Sequence, residues 1–266
     1  MKINHRVTLS VDERIANAFF KIGLVLNVGF TTFDIDEQDE RWPAVSVLIE
    51  SFKGVDIVAS SFEKEELNSA HYLEMIPDWH HGYPEPSDDA SYKDKTYDMS
   101  NCCQLCNTGY VQNNPFRMRK NPGWGQRSIL QLNWIFGDYF VQPDVWHSVF
   151  SPFGINRIEV VSNKTLNALT DILQLEISNR VAVRMTEENK YEVCLKCGAK
   201  KYLPHSRGFF PPVDLETDTP IFKTEQWFGS GGSAWQAVIV SAALYRAIVD
   251  SGIRGVRFKP LANAVV

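Results

Sequence analysis

No stretch of about 18 consecutive apolar residues occurs in the 266-residue chain, so no segment has the length and polarity of a membrane-spanning helix. The opening MKINHRVTLSVDER also lacks the apolar core of a signal peptide, and a cytoplasmic protein without membrane contact is expected. Basic residues are in deficit: 27 Lys and Arg against 32 Asp and Glu give a net charge of −5. That sign is wrong for a chain that neutralises many phosphates. With 16 Gly and 13 Pro, collagen-like and low-complexity classes are excluded, and 44% hydrophobic residues exclude general disorder. A chain of this length buries a core without disulfide support, so stapling by disulfides is unnecessary. Neither G-x-S-x-G nor H-E-x-x-H occurs, and no internal repeat is visible.

What is present reads as a mixed α/β (α+β) fold. In the first sixty residues, SVDERIANAFFKI (Ser10 to Ile22) has helical spacing with Ser10 as cap. LVLNVGFTTF (Leu24 to Phe33) reads as a strand, WPAVSVLIESF (Trp42 to Phe52) as a helix with Pro43 in its first turn, and VDIVASSF (Val55 to Phe62) as a strand. Glu63 to Met75 predicts one more amphipathic helix, followed by a surface loop through IPDWHHGYPEPSDDASYKDK. Beyond Cys102 the texture turns toward β: Ser128 to Val141, Leu173 to Ile177 and Tyr191 to Val193 are strand candidates, and DVWHSVFSPFG a short helix. The chain closes with AVIVS as strand, AALYRAIVDSG as helix with Ser241 as cap and Gly252 past its end, and GVRFKPL as strand. The division expected is an N-terminal α/β layer, residues 1–100, packed on a β-rich, zinc-ribbon-like region, residues 101–266.

Charge is concentrated. Ten acids and three bases between Phe62 and Ser100 give a local net charge of −7. This is a solvated face on the plain reading, or a surface steering a basic partner, with Trp79 and Tyr83 as apolar anchors. Arg117, Arg119, Lys120 and Arg127 form a short basic stretch beside several aromatics. A zinc-ribbon nucleic-acid-binding or regulatory protein is therefore the alternative function.

Four of the five cysteines form two pairs, Cys103-Gln104-Leu105-Cys106 and Cys194-Leu195-Lys196-Cys197. Two intervening residues let one tight turn present two thiolates to a tetrahedral ion, and two such turns complete an S₄ shell suited to Zn²⁺. The 87 residues between the pairs must then be an insert that the fold brings round. Buried free thiols and disulfides are the competing readings. Cys102 is a substitute ligand only in the poorer C-x-x-x-C register. Four thiolates leave no open position, so the metal is expected to be structural. His80 and His81 lie beside Asp78 and Glu85, but adjacent histidines point apart in an extended chain and no second ligand pair sits at helical spacing nearby; Phe228 to Ser233 lacks the Lys-Ser/Thr ending of a phosphate loop, so no catalytic residue and no enzyme is expected.

The second pair read with Gly198, together with PIFKTEQWF and AVIVSAALYRAIVDSGIRGVRFKPL, resembles the double-CxxCG family of bacterial proteins. The likeness is best from Cys194 to Leu261. The first motif ends in Asn107 where the family has glycine, and the first hundred residues have no counterpart. The resemblance implies Cys103, Cys106, Cys194 and Cys197 as ligands and offers no catalytic residue. It also implies an immunity protein that neutralises a toxin by direct protein–protein contact.

Overall fold

The computed structural model describes residues 1–263 and is a mixed α/β fold, as expected. Its contacts divide the chain into two units. One comprises Met1–Glu66 with the returning segment His205–Phe209; the other comprises Leu67–Pro204 and the chain from Phe210 onward. The first unit therefore ends near residue 66 rather than near residue 100, and the part of the expected N-terminal layer beyond Leu67 belongs to the second unit.

The first unit is a three-stranded antiparallel sheet in the order Gly29–Asp36, Lys2–Val11, Val55–Ser61, carrying helices Glu13–Phe20 and Trp42–Ser51. Val7, Leu9 and Val11 alternate into a core with Ile15, Phe19, Val45 and Ile49, while Arg6 and Ser10 face out. That period of two extends through Ser10, which pairs with Phe30. The first helix consequently begins later than its apolar spacing suggests, capped by Asp12, whose carboxylate accepts the Ile15 amide at 2.7 Å. The second strand is likewise displaced, starting at Gly29 rather than Leu24. The rings of Phe62 and Phe209 pack at 5.1 Å between centroids, tilted by 58°, and Arg207 pairs with Glu37 at 2.7 Å, tying the returning segment to this unit.

The second unit contains two five-stranded sheets. One runs in the order Arg180–Val181, Ile221–Thr224, Val238–Ser241, Tyr72–Pro77, Val256–Pro260. The other runs Arg117–Met118, Arg157–Ser162, Ala168–Leu175, Phe140–Val141, Ile129–Leu130. The closing strand-helix-strand is as expected: helix Ala242–Asp250 is capped by Ser241, whose hydroxyl accepts the Leu244 amide, and Gly252 follows in the left-handed region.

The expected helix Glu63 to Met75 stops at Ser69. Tyr72–Pro77 is instead a central strand, paired with Val238–Ser241 on one side and Val256–Pro260 on the other. Leu73 and Met75 alternate into the core with Val238, Val240, Leu244 and Ile248, and ladder hydrogen bonds on both edges outweigh the local helical pattern. The expected strand Ser128 to Val141 is two short strands separated by a loop in which Trp134 has a φ of 68°. The expected surface loop from Ile76 to Lys95 is only partly exposed: Glu85 and Tyr92 are buried. Among the described residues no helix is long and apolar enough to cross a membrane.

Candidate metal centre

Each CxxC pair is the turn of a small antiparallel hairpin. Strands Tyr97–Asp98 and Val111–Gln112 flank the first, and Tyr191–Val193 and Lys200–Tyr202 the second. The two turns share one hydrogen-bond pattern. Cys103 N donates to Thr108 O at 2.9 Å and Asn107 N to Cys103 O at 2.7 Å; in the second turn Cys194 N donates to Ala199 O and Gly198 N to Cys194 O, both at 2.9 Å. Such closure requires left-handed backbone just after the second cysteine, and Asn107 and Gly198 supply it with φ of 56° and 73°. Asparagine is the non-glycine residue that tolerates this region best, which accounts for its place in the first motif. Gly109 also has positive φ, and a side chain there would collide with the Asn101 carbonyl.

The fold brings all four thiols together. Their sulfurs lie within 4.8 Å of one another, with Cys103 Sγ 3.8 Å from Cys194 Sγ and Cys106 Sγ 3.6 Å from Cys197 Sγ. A tetrahedral ion with metal–sulfur bonds of about 2.3 Å places its sulfurs about 3.8 Å apart, so the residues fit a four-thiolate metal shell. Cys102 stands outside this group, with its thiol on the Cys103 carbonyl at 3.9 Å.

The electrostatics favour thiolate at two positions. The amides of Cys106 and Leu105 donate to the Cys103 sulfur and bring its pKa down to about 6. The amides of Cys197 and Lys196 lower that of Cys194 in the same way. At Cys197 the Ala199 amide pulls downward, but desolvation and the neighbouring thiols outweigh it and push the pKa up to about 11. Four negative sulfurs around one divalent cation carry a net charge of −2, and the chain sets a buried cation beside them. Lys201 donates its ammonium to the carbonyls of Gly231, Ser233 (2.8 Å) and Cys106 (3.5 Å). The Gly-rich run from Phe228 to Ser233 is thus a turn whose carbonyls hold a lysine. The Asn107 side-chain amide donates to Gly232 O at 2.6 Å and fixes the same turn to the first knuckle. Sequence reasoning missed Lys201 because nothing in its local pattern distinguishes it from the exposed Lys200 beside it.

The other sequence candidates do not gather into a site. His80 is exposed, and His81 stacks on Trp79 at 5.1 Å. The acidic stretch is not one surface. Glu66 pairs with the N-terminal ammonium, Asp78 with Arg257, and Glu85 with Arg119, while Glu74 sits in the central strand. Trp79 is half-buried against the core under the Arg127 guanidinium, 5.1 Å from its ring centre; Tyr83 is exposed. Arg119 and Arg127 of the basic stretch are therefore engaged within the protein. Comparison with known protein families finds none that matches the chain, and comparison with curated proteins finds no match.

Proposed function

We propose that the chain is a zinc-stapled binding module without catalytic activity, and that it acts by direct contact with a protein partner, as an immunity protein acts on its toxin. The observation that carries the metal part is the four-sulfur cluster within 4.8 Å on two hairpin turns of matching hydrogen-bond pattern. Borderline-soft Zn²⁺ suits four thiolates, and a closed shell assigns it a structural role. Because the unfolded chain has no preformed site, metal affinity becomes folding stability, and here it closes an 87-residue insert. The partner reading rests on the resemblance to the double-CxxCG family, on the net charge of −5, and on the exposed acids Asp88 and Asp89 near exposed Tyr83. Two of the three arginines of the basic stretch, Arg119 and Arg127, already have partners within the protein, which weakens the nucleic-acid alternative.

The test is co-expression with the product of the adjacent upstream reading frame. Protection by the wild type, reduced by the Asp88→Lys, Asp89→Lys double variant at unchanged thermal stability, is the expected result. Absence of any protection or complex formation overturns the partner reading and leaves the metal reading to its own measurement.

A further inference from the structure

Where the two five-stranded sheets of the second unit meet, a cavity of about 200 Å³ is lined by Tyr97, Tyr110, Asp138, Gln174, Arg180 and Lys223. Its polarity is unusual for its depth: Asp138, Gln174 and Gln236 are all more than nine-tenths buried. Burying such groups is costly where they are not fully bonded, and apolar residues would fill the space at lower cost.

The frame is rigid. Gln112 and Gln174 exchange amide hydrogen bonds of 2.9 and 2.7 Å. Lys223 donates to Asp138 Oδ1 at 2.7 Å, and Gln174 donates to the same oxygen at 3.4 Å. Arg180 and Lys223 are direct partners on parallel strands, and Arg180 Nε donates to Gln236 Oε1 at 3.2 Å. Gly137, which precedes Asp138, has a φ of 78°, and a Cβ there would lie 2.7 Å from the Gln236 carbonyl oxygen, so a close backbone approach sets the carboxylate's position.

Much bonding capacity remains. Among the described residues, Asp138 accepts on Oδ1 alone and Arg180 donates through Nε alone. Asp138 Oδ2 and the Nη groups of Arg180 are therefore uncommitted, and Glu176 adds a second carboxylate to the lining. Two cations and two carboxylates balance, so the site selects a ligand of no net charge bearing both signs. A cavity of about 150 Å³ holds benzene, and one of this size holds roughly eight non-hydrogen atoms.

We propose that this cavity is a binding site for a small zwitterion of the free amino-acid class. The ligand carboxylate meets Arg180 and Lys223, its ammonium donates to Asp138 Oδ2 and Glu176, and the rings of Tyr97 and Tyr110 flank it. None of the four cysteines lines this cavity, although Tyr97 and Gln112 belong to the strands that flank the first cysteine turn.

The experiment is calorimetric titration and thermal shift of the full chain with each proteinogenic L-amino acid and with glycine betaine, which has both charges but no N–H donor. At least one amino acid should bind saturably, one per chain, and raise the melting temperature. Arg180→Ala, a change at an exposed position, should weaken that binding roughly tenfold or more, as loss of a charge-assisted bond does. Arg246→Ala, on the exposed side of the last helix, should leave it unchanged, and betaine should bind at least about tenfold more weakly than the amino acid. Failure of every amino acid to bind, equal binding by Arg180→Ala, or betaine binding as tightly as the amino acid would each overturn the proposal.

Discussion

Asn107 and Gly198 occupy equivalent places in the two cysteine turns: each takes left-handed backbone four residues after its first cysteine and donates its amide to that cysteine's carbonyl. Two segments with little sequence in common, 87 residues apart, are therefore one local structure used twice. The equivalence predicts how each position tolerates change. Gly198→Val should destabilise the protein by about 1–2 kcal/mol, the cost of forcing a β-branched residue into this region, read as a lower urea midpoint. Asn107→Val should cost at least as much, since it also loses the bond to Gly232 O, and Asn107→Gly should cost less than Asn107→Val.

The cysteines should separate by position. Cys197→Ser, although at an exposed site, is expected to lower both bound metal and melting temperature, whereas Cys102→Ser should leave metal content unchanged, because its sulfur lies outside the four-thiol group. Metal analysis paired with a thermal melt of the two variants checks this.

Lys201 holds three carbonyls of two different loops, and its ammonium would offset the net negative charge of a divalent metal bound by the four thiolates. Lys201→Met keeps the aliphatic stem and removes the ammonium, so a loss of roughly 2–3 kcal/mol in stability is expected, with faster metal release to a chelator. Chelator-competition kinetics measures the second effect separately from the first.

Glu74 gives a pH signature. Burial raises its pKa to about 7, against partial opposition from Lys259 and Arg257, and its Oε2 is buried without a hydrogen bond. The folded state then holds a proton that the unfolded state, near the ordinary glutamate value, has already lost. Stability contributed by this group is present at acid pH and falls as pH rises from about 4.5 toward about 7, levelling above. Glu74→Gln should flatten that fall and be more stable than wild type at pH 8, which denaturant melts across the range would show.

The legible parts of this protein were those with local causes. Helix Trp42–Ser51 carries Pro43 in its first turn, and helix Ala242–Asp250 is bracketed by the Ser241 cap and Gly252, so both could be placed from sequence. The C-x-x-C spacing likewise exposed the four cysteines that the fold assembles. Strand Tyr72–Pro77 was not legible, because its identity comes from pairing with strands more than 160 residues away in sequence. The same holds for Lys201 and for the Asp138, Gln174 and Lys223 cluster, whose partners are set by topology and lie far away in sequence.

A metal bound by all four thiolates would join the two hairpin turns through a single closed shell. Metal analysis with X-ray absorption at the zinc edge, on protein purified without chelator, tests it most directly. The expected result is about one equivalent of zinc per chain with four sulfur neighbours at about 2.3 Å. Less than about half an equivalent, or a shell containing nitrogen or oxygen in place of sulfur, would contradict it.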